Sequence, residues 1–292
     1  MEIKATHVFQ ADSEAVNEVY NNQNNYLIEY NKEVPEEYCV LYFSSNDLYY
    51  PNNNVAFSES VIKKNRFEWY GNRIHDGYKH IFIRDIKKQW YLTGINGSIN
   101  SPEKLLEFLK KETAGFKVIA LGSSAGGFAS VIYGQLLDAK HILTFNGQFE
   151  ILSLLKSSTE NIDPVIFRNQ NNPVLLPYYD TINFIKKPAS IFYFHSAQSQ
   201  WDINQSKYVA HIELNKISFQ TNNHGIPFLK SNLEVLLNMS DADLRNLSGK
   251  SFHPLFFSLK MVGFYKTIIG LVPIVKYGFN KIYIMTIQKL KK

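Results

Sequence analysis

A chain of 292 residues with 45% hydrophobic residues has enough apolar material for a folded core, which excludes a disordered polymer. Its one cysteine, Cys39, excludes an internal disulfide framework and suits a reducing compartment. The formal net charge of +5 is uneven: Leu244 to Lys292 holds eight lysines, one arginine and no acidic residue, so residues 1–243 carry −4, the difference between +5 and +9.

In chain order, Ile3 to Gln10 and Tyr26 to Tyr30 read as short strands. Tyr38 to Ser44 reads as a buried strand that holds Cys39 as a core thiol. Met1-Glu2-Ile3-Lys4 lacks the basic start and apolar stretch of a signal peptide, so the expected location is the cytoplasm. His80 to Arg84 is a further strand, followed by a helix with Ser101 as N-cap, Pro102 at its first position and Leu105, Leu106 and Leu109 as its apolar stripe. Lys117 to Leu121 and His141 to Phe145 read as strands on either side of a helix from Phe128 to Leu137. Two more strands follow, Ser190 to His195 and a last one near His211 to Phe219, and then a helix from Pro227 to Leu237. This alternation predicts an α/β fold over residues 1–250, a mostly parallel sheet with helices on both faces. It lapses between Gly147 and Pro188, where Asn169-Gln170-Asn171-Asn172-Pro173 and the pair Tyr178-Tyr179 fall. Residues 147–188 are therefore either a cap over a site or a loop packed away from it.

Gly122-Ser123-Ser124-Ala125-Gly126-Gly127 matches G-x-S-x-G between a strand and a helix, the setting of a nucleophile elbow. The glycines relieve crowding in a sharp turn, and a helix starting at Ala125 would aim its amides where an oxyanion forms. Ser124 is the candidate nucleophile and Ser123 a hydroxyl buried in the turn. Such a serine needs a base and an orienting acid, in the chain order Ser, Asp or Glu, His. Of the histidines downstream, His211 falls in a strand and His253 in the basic tail, whereas His224 stands in the polar loop Asn222-Asn223-His224-Gly225. Asp202 is the carboxylate in the loop Ser196 to Asn204, with Asp180 and Asp163 as alternatives. The oxyanion hole is expected from the Ala125 amide and a second amide, Ser45 or Asn46. Arg84 and Asp85 end a strand on the side where sites collect; either touches substrate or the two pair, with Trp90 packed beside them. Arg84, Trp90 and Tyr178 are candidate substrate contacts, and no metal set is expected.

With these residues in place, the chain resembles the α/β-hydrolase fold and is similar, more narrowly, to serine-dependent O-acetyltransferases of bacterial capsule and surface-polysaccharide clusters. His80-Ile81-Phe82-Ile83-Arg84-Asp85 with Gln89-Trp90-Tyr91, and Leu121-Gly122-Ser123-Ser124-Ala125-Gly126-Gly127-Phe128-Ala129, carry the closer resemblance, which covers residues 38–237. It implies a triad of Ser124, Asp202 and His224, acetyl-CoA as donor and a polysaccharide hydroxyl as acceptor. A serine esterase acting on acylated glycans would use the same triad, and a non-catalytic assembly protein could keep the fold alone.

Residues 251–292 form a basic amphipathic segment, aromatic and punctuated by Lys260, Lys266, Lys276, Lys281, Lys289, Lys291 and Lys292. Its uncharged runs, such as Thr267 to Val275, reach no more than nine residues, short of the roughly 20 that span a bilayer. The expected partner is an anionic membrane surface or a capsule-assembly complex, with nucleic acid excluded, unless the segment folds back on the domain.

Overall fold

The apolar runs read from the sequence have no polar face to show to water, so they require cover on both sides. The computed structural model describes residues 7–157 and 159–290. Among them, eight strands form one sheet: β1 (Tyr26–Tyr30), β2 (Tyr38–Phe43), β3 (Gly77–Ile83), β4 (Lys117–Ser123), β5 (His141–Phe145), β6 (Ile191–Ser196), β7 (Asn215–Phe219) and β8 (Ser251–Phe252). Their order across the sheet is β1-β3-β2-β4-β5-β6-β7-β8, and only β1 runs antiparallel to its neighbour.

The period of two along β6 shows how cover is divided. Phe192 and Phe194 enter a cluster with Leu121, Phe145, Phe219 and Phe228 on one face. Ile191 and Tyr193 enter another, with Leu41, Leu105, Leu109 and Tyr133, on the opposite face. The helices that matter for the site are α1 (Phe9–Asp12), α2 (Glu14–Asn22), α3 (Pro102–Thr113), α4 (Ala125–Leu136), α5 (Gln200–Tyr208) and α6 (Pro254–Leu290). Ser101 caps α3 by accepting from the Lys104 amide at 3.2 Å, and α4 follows β4 directly, with every residue from Ala125 to Gln135 buried.

Several elements differ from the sequence reading. Of the strand expected at Ile3 to Gln10, residues 3–6 lie outside the described residues, and Phe9–Asp12 is a short helix. His211 lies exposed in a turn before β7, not within a strand. The helix expected from Pro227 begins at Leu233, because Ile226, Phe228 and Leu229 are drawn into the core. The boundary drawn at residue 250 cuts through the domain, since β8 pairs with β7 and Phe257 is 2% exposed in the core. Cys39 is buried, and burial pushes its thiol up to about 12, as a core thiol requires.

The 147–188 segment holds short helices at Leu154–Ser157 and Pro164–Arg168. It is tied to α1: Arg168 holds the Asp12 carboxylate at 2.6 and 2.8 Å, and Gln10 Nε2 donates to the Ile162 carbonyl at 3.0 Å. That bidentate clamp holds the Asp12 carboxyl below its ordinary value.

Candidate active site

Ser124 caps α4 at φ 51° and ψ −121°, a strained conformation for a residue with a side chain. The turn is tight because a Cβ on Gly122 would lie 2.2 Å from the Gly126 carbonyl oxygen, and one on Gly126 would lie 2.2 Å from that of Phe43. The Ser124 amide donates to the Phe145 carbonyl at 3.0 Å, which fixes the turn to β5. Ser123 points inward, 2% exposed, with its hydroxyl 3.5 Å from the Glu68 carboxylate. The turn thus places one serine in the site and the other in the core.

Asp202 lies in the first turn of α5 rather than in a loop, where Ser199 caps the helix. Its Oδ1 is 2.9 Å from His224 Nδ1, and His224 Nε2 is 2.9 Å from Ser124 Oγ. Asp202 is 1% exposed and its Oδ2 has no hydrogen-bond partner among the described residues, so the imidazole is the hydrogen-bond partner of a buried carboxylate. With Nδ1–H donated to Asp202, Nε2 is left to accept the serine proton.

The His224 loop is stapled from below by a residue the sequence did not single out. Asn146, buried just after β5, donates through Nδ2 to the carbonyls of Asn223 and Gly225, each at 3.1 Å, and to Ser196 Oγ at 3.0 Å. Its Oδ1 accepts the Ser196 amide at 2.7 Å, and Ser196 Oγ itself donates to the Asn223 carbonyl. The two carbonyls flanking His224 are therefore fixed to β5 and β6. Asn146→Ala is expected to keep the fold but to slow turnover by about tenfold to a hundredfold, since small misplacements of a base are that costly. Steady-state rates beside a melting curve check this, and an unchanged rate would remove Asn146 from the machinery.

Gln148 is a second residue that the sequence does not single out. Its Nε2 donates to Ser124 Oγ at 3.1 Å, while its Oε1 accepts the Trp90 indole N–H at 3.1 Å, so the amide's orientation is set by its second partner. The sequence signal was its place just past β5, the strand beside the elbow strand. Trp90 is delivered by Asp85, whose buried carboxylate accepts the amides of Lys87, Gln89 and Tyr91 at 3.1, 2.6 and 2.9 Å. That capping lets Trp90 and Tyr91 hold positive φ values of 53° and 62°. Burial pushes the Asp85 carboxyl up, opposed by those three amides.

The oxyanion-hole expectation changes in one respect. The Ser45 amide donates to Glu68 Oε2 at 2.5 Å and the Ser45 hydroxyl to Oε1 at 3.1 Å, so Ser45 faces inward. Burial raises the Glu68 carboxyl against these two bonds. Asn46 lines the cleft instead, and no hydrogen bond among the described residues takes up its amide or that of Ala125. The cleft, about 530 Å³, is lined by Asn46, Trp90, Ser124, Gln148, Leu154, Ile162, Asp163, Trp201 and His224. Trp201 precedes Asp202, is 40% exposed, and has its ring centroid 6.3 Å from that of His224.

Two expected substrate contacts lie elsewhere. Arg84 is 1% exposed and spends its guanidinium on Asn25 Oδ1, the Arg66 carbonyl and Gln23 Oε1, each at 3.1 Å, over the Phe67 ring. It makes no ion pair with Asp85 among the described residues. Tyr178 stacks on Phe184 at 5.1 Å, away from the cleft. Of the alternative acids, Asp180 accepts from Tyr208 and the Ile182 amide, and Asp163 lines the cleft without meeting His224 Nδ1. His253 accepts from the Leu255 amide at the start of α6.

The sheet order, the strand-turn-helix elbow after β4 and the order Ser124, Asp202, His224 along the chain define an α/β-hydrolase fold with a serine-centred cleft. No protein-family model matches the chain, and no curated protein matches it in sequence. Among solved structures it is similar to the capsule O-acetyltransferase of Neisseria meningitidis serogroup A, with 13% identity over 68% of this chain and 83% of that one and a TM-score of 0.47. A mutant of the same enzyme in complex with CoA shares 13% identity over 77% and 90%, with a TM-score of 0.42. Esterase B of Lactobacillus rhamnosis shares 10% identity over 67% and 75%, with a TM-score of 0.36.

Proposed function

We propose that the chain is an acyl-transfer enzyme in which Ser124 carries the acyl group between donor and acceptor. The observation behind this is the unbroken chain from Ser124 Oγ to His224 to Asp202, at 2.9 and 2.9 Å, on a strained elbow. His224 Nε2 takes the serine proton as Oγ adds to the acyl carbonyl, and Asp202 holds the imidazolium that forms. The oxyanion is met by the Ala125 amide, with the Asn46 amide and Gln148 Nε2 at the same cleft. Collapse breaks the bond to the leaving group, which receives the proton from His224. The acceptor hydroxyl then repeats the sequence in reverse and leaves Ser124 free.

The donor we propose is acetyl-CoA and the acceptor a hydroxyl of a bacterial capsule or surface polysaccharide, in the cytoplasm. This finer reading is supported by the sequence resemblance of residues 80–91 and 121–129. Trp90, Leu154, Ile162 and Trp201 suit an acyl-pantetheine arm and a sugar ring, since aromatic faces pack against apolar surface. No lysine or arginine among the described residues lines the cleft, so the donor's phosphates would lie beyond those that do.

Hydrolysis is the competing reading, and one observation favours it. The 147–188 segment supplies Leu154, Ile162 and Asp163 to the cleft as a wall, and Ile162 and Trp201 remain 60% and 40% exposed, so water reaches Ser124 in this conformation. Intact mass after mixing with acetyl-CoA, with and without a glycan acceptor, separates the two. Transfer predicts an acetylated protein that is cleared by the glycan, which gains the group. Acetate release unaffected by any glycan would leave the esterase, and a protein inert to acetyl-CoA and to simple esters alike would sink both.

Gln148→Leu keeps the side-chain volume and removes the amide. It is expected to lower turnover by about 10²-fold, the usual effect of losing one such donor, with little change in donor KM. A rate within twofold of the parent would reduce the Trp90–Gln148 relay to packing.

A further inference from the structure

Helix α6 turns the wrong way out for a protein surrounded by water alone. It breaks at Gly263 (φ 76°, ψ 177°), which leaves two arms, residues 254–262 and 264–290. The first arm is anchored by Phe257, packed against Phe219, Phe228 and Phe252. The second rests on the domain through its small side: Thr267 is buried, bonded to the Gly263 carbonyl and Ser258 Oγ, and a Cβ on Gly270 would meet Ser231 Oγ at 2.5 Å.

Its large apolar side chains face outward. Phe264, Tyr265, Ile268, Ile269 and Val272 are 74%, 77%, 45%, 51% and 57% exposed. Their spacing of three and four residues puts them on one face of the helix. Phe256 of the first arm adds a further ring, 68% exposed. A surface helix in water shows the opposite arrangement, so this face is built for contact with something other than water.

We propose that the face docks the protein on an anionic lipid bilayer. Charge favours that occupant: residues 244–292 carry nine basic and no acidic side chains, and each lysine near an acidic surface strengthens binding about fivefold. A second copy of this chain would oppose two such cationic segments, which disfavours self-association there. The apolar side chains come from two arms on either side of a break, a broad surface that suits the headgroup boundary better than a single ridge suits a groove. The segment Pro254–Val272 is long and apolar enough to cross a membrane, but Phe257, Ser258 and Thr267 are buried in the domain, so it lies on the bilayer rather than through it.

The proposal is independent of acyl transfer and is tested by flotation of the full chain with vesicles. Vesicles of phosphatidylcholine with phosphatidylglycerol are expected to carry the protein up the gradient. Pure phosphatidylcholine, or about 0.5 M salt, should lower the bound fraction at least about tenfold. The double variant Phe264→Ser/Ile268→Ser alters exposed residues only. It should lose vesicle binding while its melting temperature and its hydrolysis of a soluble ester stay unchanged. Parent protein that never floats, a double variant that floats equally, or binding indifferent to lipid charge and salt would each overturn the proposal. So would an acidic protein partner or a self-association lost in the double variant without any lipid binding.

Discussion

Ser124→Ala is expected to reduce turnover by about 10⁶-fold while the protein stays folded, because the proposed mechanism loses its nucleophile and with it a unit rather than a part. The fold should survive, since both partners of Ser124 Oγ are held independently: His224 by Asp202 and Gln148 by Trp90. The backbone strain at φ 51° remains with alanine, so the melting temperature should barely move. Ser123→Ala is the control. Its hydroxyl is buried beside Glu68, so its loss should cost on the order of 1 kcal/mol of stability and little activity. Intact mass after acetyl-CoA gives a second readout, in which the Ser124 variant stays unmodified. A dead Ser123→Ala with a fully active Ser124→Ala would sink the assignment of the nucleophile.

The elbow was legible in the sequence because everything that makes it is local: an apolar strand, glycines where a Cβ would strike backbone, and a helix immediately after. His224 and Asp202 were legible in a weaker sense, through chain order and loop polarity, although Asp202 belongs to a helix whose Ser199 cap was overlooked. What escaped was set by contacts between distant segments. The Ser45 amide is taken by Glu68, 23 residues further on, and Arg84 finds neutral partners near residue 25 rather than its neighbour Asp85. Asn146 and Gln148 look like ordinary polar residues after a strand until the strand order puts them beneath His224 and against Ser124. The helix expected at Pro227 lost its first turns to aromatic packing of Phe228 against Phe145, Phe194 and Phe219. In α6 the period of the apolar residues was readable, but which face rests on Ser231 was not, because that depends on the small residues Thr267 and Gly270.

His224→Ala is expected to be as inactive as the serine variant, about 10⁶-fold down, and combining the two changes should add almost nothing. Asp202→Asn should cost less, about 10⁴-fold, and for a definable reason. The asparagine either accepts through oxygen, keeping the hydrogen on Nδ1, or donates through its amide to Nδ1. In the second case Nε2 carries the hydrogen and cannot accept the Ser124 proton. The neutral amide also removes the desolvated charge that favours the imidazolium, since Asp202 is 1% exposed and His224 is its hydrogen-bond partner. Folding should persist, because an isosteric neutral group replaces a carboxylate with one oxygen that has no hydrogen-bond partner among the described residues. Stopped-flow acylation with an activated ester measures the three variants on one scale. Parent-like acylation in Asp202→Asn would take the orienting role away from Asp202, and Asp163, the other carboxylate at the cleft, would be the next residue to replace.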